Sequence, residues 1–195
     1  MASLPMTRDE AVALLRSMPQ AESDMNHYLE TEAIMRALAE KFGEDVDYWG
    51  MLGLLHDVDW ALTKEDWTVH CVKAVEILEG KGFDEKFIEN VQSHGYCNDG
   101  IPSLKDKKRS SRVQHCLAAA ETLTGIIYAY ALMKGKRISD MEARGLKKKF
   151  NTKSFAANCS RELVEEIELA GISLDDFFAL AIEAVKKIKD QIGLS

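Results

Sequence analysis

Across almost the whole chain, apolar residues return at three- and four-residue intervals, and no stretch alternates long enough to line one face of a sheet. Only three prolines occur, at positions 5, 19 and 102, which leaves long segments free to be helical. These two features predict an all-α protein. Thr7-x-x-Glu10 has the spacing of a capping box and opens a first helix reaching about 18. A second helix is expected over 24–42, closed by Gly43, and a third over 45–55. Helices over 66–78 and 84–93 follow, separated by Glu79-Gly-Lys-Gly82. Residues 95–105, rich in turn formers, read as a surface loop. A long apolar helix is expected over 109–133; Ser139-x-x-Glu142 opens another, and Ser173-Leu-Asp-Asp176 the last, to about 192. No repeat or linker stands out. Residues 1–195 are expected to form one helical domain, with a core over 24–133 and C-terminal helices over 139–192 packed on it.

A chain of 195 residues with 46% hydrophobic and 29% charged side chains has enough material for a substantial core. The 25 basic and 32 acidic side chains leave a net charge of −7, which argues against nucleic-acid binding through bulk charge. Cys71, Cys97, Cys116 and Cys159 stand far apart with no C-x-x-C pair. That spacing gives no thiolate zinc site and no disulfide framework, so a reducing cytoplasm is the expectation. Met-Ala-Ser-Leu-Pro at the N-terminus lacks the features of a signal peptide. The apolar stretch over 116–133 is interrupted by Glu121 and is short for a membrane span, so no membrane partner is expected.

Against this ordinary background one segment is odd. Tyr48 to Leu55 carries no charge, yet it runs straight into His56-Asp57. Such a pair at the end of an apolar run needs a proton, a counter-charge or a metal. Other polar groups also fall on apolar faces. His27 shares a stripe with Thr31, Ile34 and Leu38, and His70 with Trp67, Ala74 and Ile77. His94 continues the face of Phe87 and Val91; Glu121 interrupts that of Leu117, Thr124 and Tyr128. His115 is rotated away from Glu121 and reads as a solvated or boundary residue.

Taken singly, an inward histidine is usually a hydrogen-bonded core residue, and an inward glutamate can pair with a basic side chain. Four histidines, one aspartate and one glutamate on converging faces exceed what packing requires. Imidazole nitrogen and carboxylate oxygen are donors for zinc, iron, manganese, nickel or cobalt, and helices can project them into a bundle core.

The order His27, then His56-Asp57, then an acidic residue on a later helix resembles the HD-domain superfamily of metal-dependent phosphohydrolases. His70 and His94 resemble the extra histidines of its HDIG-type branch, which support a second metal. Gly53-Leu-Leu-His-Asp-Val-Asp59, His70 ahead of Ala74-Val-Glu-Ile-Leu78, Glu121-Thr-Leu-Thr-Gly125 and the segment 148–156 with Arg161-Glu162 are similar to a set of small bacterial HD proteins. Two departures stand out. Glu121 occupies the place of the usual last aspartate, and His56-Asp57 is followed by Val58-Asp59-Trp60 without the lysine that some HD enzymes use to hold phosphate.

The resemblance implies a single-domain HD-type helical bundle that is a phosphatase- or phosphodiesterase-type hydrolase of a small phosphorylated molecule, such as a nucleotide. It implies one or two divalent ions (iron, manganese, zinc, nickel, cobalt or magnesium). His27, His56, Asp57 and Glu121 would hold the first, and His70 and His94 the second, with Asp57 bridging. Asp57 and Asp59 are the candidates for the chemical step, Asp59 as a proton acceptor or as the partner of a ligand imidazole, with a surface capping role as the plain alternative. Lys148, Lys153 and Arg161 are the candidates for substrate phosphate. A di-iron oxygenase and a non-catalytic metal or phospholigand sensor are the alternatives.

Overall fold

The structure, a computed structural model, describes residues 4–195; residues 1–3 of the N-terminal stretch read for leader signals lie outside it. Among the described residues there are ten α-helices, five short 3-10 turns and no strand. The fold is all-α, as the periodicity predicts. The helices are α1 (Arg8–Arg16), α2 (Glu22–Phe42), α3 (Val46–Leu55), α4 (Trp60–Thr63), α5 (Lys73–Glu79), α6 (Glu85–Gln92), α7 (Arg112–Met133), α8 (Ala143–Phe150), α9 (Arg161–Glu165) and α10 (Leu174–Lys187). The Thr7–Glu10 capping box is formed at the start of α1. Gly43 closes α2 in the left-handed conformation (φ 69°), where the missing side chain removes the steric cost.

α2 is the hub, packing along α3, α7 and α10. One apolar core runs from Leu15 on α1 through Ile34, Leu52 and Leu123 to Phe177 on α10, all fully buried. α3 enters this core with every residue from Trp49 to Leu55 buried. Its contact with α2 is unusually close. A methyl group on Gly53 would stand 2.8 Å from the Thr31 carbonyl oxygen and 2.9 Å from Glu32 Cα, atoms of backbone that cannot swing away. The helix therefore delivers His56 against α2. α7 is the one described helix long and apolar enough, by length and composition, to cross a membrane; 67% of its most apolar window is buried inside the protein.

Several boundaries differ from those expected; the last helix, for one, ends at Lys187 and is followed by a 3-10 turn at Lys189–Gln191. The helix expected over 66–78 is broken into a 3-10 turn at Trp67–Val69 and α5. His70 is extended at the break (ψ 144°) and Cys71 is left-handed (φ 62°). α7 starts at Arg112, because Arg109 turns inward to bond Glu166 and the carbonyls of Ser93 and Tyr96. Ser139 does not cap a helix: its amide is bonded by the Ser195 carbonyl at 3.1 Å, and Ile138–Asp140 is a 3-10 turn.

Candidate metal centre

Asp57 lies just beyond the C-terminal end of α3, and four imidazoles converge on its carboxylate. His27 Nε2 and His56 Nε2 stand 3.7 and 3.6 Å from Oδ2, and 3.0 Å from each other. His70 Nε2 and His94 Nε2 stand 3.4 and 3.1 Å from Oδ1, and 3.3 Å from each other. Each carboxylate oxygen thus faces its own pair of nitrogens. The pairs come from α2 with the end of α3, and from two 3-10 turns that flank α5 and α6.

The outer nitrogen of every ring is occupied, which fixes what the inner one presents. His56 Nδ1 donates to the Gly53 carbonyl (2.8 Å), and His94 Nδ1 to the Val91 carbonyl (2.7 Å). His70 Nδ1 donates to Asp59 Oδ1 (3.1 Å). The Thr124 hydroxyl gives its single hydrogen to the Glu121 carbonyl, so it accepts from His27 Nδ1 at 2.8 Å. Four Nε2 atoms therefore converge on one carboxylate, and each offers a lone pair whenever its ring is neutral. That donor set calls for cations, and it fits divalent metal ions held by neutral imidazole and carboxylate.

Electrostatics agree. Burial opposes ionisation of Asp57, but His56, His70 and His94 outweigh it and hold the carboxyl well below its usual range. Burial pushes His56 down to about 3, keeping it neutral. Burial also opposes charge on His70 and His94; hydrogen bonds and charge from Asp57, with Asp59 and Cys71, overcome it and raise both. The site draws positive charge.

A cavity of about 430 Å³ opens onto Asp57 and is lined by His27, His70, His94 and Glu121. Trp60 and Trp67 stand at its edge with ring centroids 5.3 Å apart, and Asn98, Asn158 and Ser160 add polar groups. Glu121 faces this cavity, its carboxyl raised by burial against the opposing charges of His94 and His27, but it joins neither of the tight donor clusters.

Other sequence expectations land differently. Asp59 is fully buried behind His70, with Oδ2 bonded to the Ala74 amide at 3.1 Å. Its carboxylate touches the His70 imidazole and the Ala74 amide, the placement of a group that orients His70. Arg161 spends its guanidinium on backbone carbonyls, with Phe150, Ala156 and Cys159 at 2.7–3.1 Å. Lys148 and Lys153 are exposed, and the cavity lining contains none of these three residues. His115 is half-buried, the boundary position expected of it, and bonds Glu166 at 2.7 Å. The sequence reading passed over Trp60, Asn98 and Asn158 at the cavity, and Cys71 beside His70; adjacency to a candidate ligand was the signal for the cysteine. All four cysteines are free.

A helical bundle that turns four imidazoles onto one carboxylate has the donor set of a metal-binding all-α protein. The family model for the HD domain matches residues 25–126, more than half of the 195-residue chain, and the chain belongs to that family, within the superfamily of metal-dependent phosphohydrolases. It is 25% identical over 174 residues, 85% of its length, to ribonuclease Y of Geotalea uraniireducens (strain Rf4). It is 29% identical over 98 residues, 50% of its length, to ribonuclease Y of Mycoplasma mycoides. It spans 31% and 21% of those two proteins. No solved structure is a significant match.

Proposed function

We propose that the chain is a metal-dependent hydrolase of a small phosphorylated molecule, a nucleotide or related phosphoester, working in a reducing cytoplasm. The observation that carries the reading is the division of Asp57, one oxygen to His27 and His56, the other to His70 and His94. In this reading those five residues hold two divalent ions, with Glu121 facing the same cavity. The bound ions would supply an activated water and charge neutralisation for phosphoryl transfer.

The chain's own side chains do the rest. Gly53, Val91, Thr124 and Asp59 fix the ligand rings, so no reorientation is needed when substrate arrives. Trp67, about half exposed beside Trp60, offers a stacking face for a base. Asn98, Asn158 and Ser160 give neutral hydrogen bonds at the cavity wall, in place of the lysines and arginine that lie elsewhere. Net charge −7 and a cavity of about 430 Å³ favour a small substrate over a long RNA.

The test is elemental analysis of protein purified without chelator, then a panel of nucleotides, phosphomonoesters and short RNA with the native metal restored. Turnover of a small phosphoester, abolished in His56→Ala and Asp57→Ala, supports the reading. Oxygen uptake with iron bound would instead select the oxygenase, and metal or phospholigand binding without turnover the sensor.

A further inference from the structure

The second half of the centre contains one more metal donor. Cys71 follows His70 directly and is fully buried, with Sγ 3.4 Å from His94 Nε2. The donor atoms of His70, Cys71 and His94 all lie within 4.8 Å of one another. We propose that the Cys71 thiolate is a ligand, beside His70 and His94, of the ion that Asp57 Oδ1 faces. This half of the site would then select a thiolate-accepting divalent cation, such as zinc, iron or cobalt, over magnesium. The inference rests on the two-ion reading above.

Three features of the chain support it. The first is distance. Tetrahedral coordination with metal–nitrogen and metal–sulfur bonds of about 2.05 and 2.3 Å puts nitrogens about 3.3 Å apart, and nitrogen and sulfur about 3.5 Å apart. His70 Nε2 to His94 Nε2 is 3.3 Å, Cys71 Sγ to His94 Nε2 is 3.4 Å, and Asp57 Oδ1 to the two rings is 3.4 and 3.1 Å. The second is backbone. Cys71 holds φ 62°, a region that side-chain-bearing residues seldom occupy, and Gln92 Nε2 secures its carbonyl at 3.0 Å. With the chain turned this way His70 and Cys71, adjacent in sequence, reach the same point.

The third is space. A methyl group on Gly95 would meet Cys71 Sγ at 2.7 Å, so the turn after His94 leaves that volume to the sulfur. Cysteine spacing that excludes a site of thiolates alone does not exclude this mixed one. The rival account makes Cys71 a member of the small apolar cluster with Tyr96, Ile101 and Leu104, its S–H donating weakly to His94. The two differ in one event: on metal binding a ligand thiol releases its proton to solvent and becomes a thiolate donor.

Cobalt(II) added to metal-stripped protein reads this out without any assay of activity. Wild type should bind two equivalents and develop a near-ultraviolet thiolate-to-cobalt charge-transfer band. Cys71→Ser should lose that band and bind the second equivalent roughly 10- to 100-fold more weakly. Cys71→Gly, which accepts the left-handed backbone, repeats the test should the serine variant fold poorly. Cys159→Ser, altering the other thiol at the cavity, should keep the band. Two equivalents bound by wild type without the band, or a band that survives both Cys71 variants, would overturn the thiolate ligand while leaving the metal centre standing. No cobalt bound by wild type overturns both.

Discussion

Asp59 Oδ1 accepts a hydrogen bond from His70 Nδ1 at 3.1 Å inside the core, and the same carboxylate anchors the start of α5 through the Ala74 amide. The pair ties the orientation of an imidazole to the placement of a helix. Asp59→Asn keeps the shape but removes the charge behind the ring. Affinity for the ion nearest His70 should fall roughly 10- to 100-fold, read by competition with a coloured chelator. Unchanged affinity would show that His70 needs no such support.

Glu30 sets a pH dependence of stability. It is 2% exposed, its Oε1 lacks a hydrogen-bond partner, and burial raises its carboxyl to about 8. The folded protein keeps Glu30 neutral over a range where the unfolded chain ionises it. Its contribution is therefore fully present below the ordinary value of 4.5 and is lost as pH rises towards about 8. Glu30→Gln should flatten that decline, with a gain of order 3 kcal/mol at pH 7 relative to its effect near pH 4.5. Denaturant unfolding at several pH values gives the slope directly; parallel curves for the two proteins would refute the assignment.

Arg109 supports the turn that carries His94. Its guanidinium forks onto Glu166 with two contacts of 2.6 Å, and Nη1 donates to the Ser93 and Tyr96 carbonyls at 2.8 and 3.0 Å. Arg109→Ala leaves Glu166 and both carbonyls short of a donor and should cost about 3 kcal/mol, seen as a lower urea midpoint. Arg109→Lys should recover little, since a single ammonium cannot reproduce the planar fork.

Trp67 gives a test of substrate class. Trp67→Ala should raise KM for a base-bearing substrate by roughly tenfold, about 1–2 kcal/mol of lost stacking, with metal content unchanged. Trp67→Phe should restore most of it. An equal effect on a phosphoester without a ring would point to packing around His70, whose ring lies 5.2 Å from that of Trp67.

The helical class and the inward direction of the histidines were legible because both depend on spacing along one element. His27 stands where its stripe put it, and His56-Asp57 ends α3 as the apolar run suggested. His70 and His94 reach the centre from 3-10 turns, where helical spacing carries no information; their convergence depends on the left-handed Cys71 and on side chains such as Arg109 that arrive from far along the chain. The basic residues were hard to place for a related reason. Charge along a sequence does not say whether a guanidinium faces solvent or, as with Arg161, closes a loop by collecting carbonyls.

Gly53 controls more than the fit of two helices. Its carbonyl holds His56 Nδ1, and its bare Cα lets α3 come down on the backbone of Thr31 and Glu32, one turn past His27. The 3.0 Å gap between His27 Nε2 and His56 Nε2 is thus a gauge set three residues upstream. A methyl group at position 53 would act as a wedge, opening the jaw that those two rings form and parting the two nitrogens, with every donor still in the sequence.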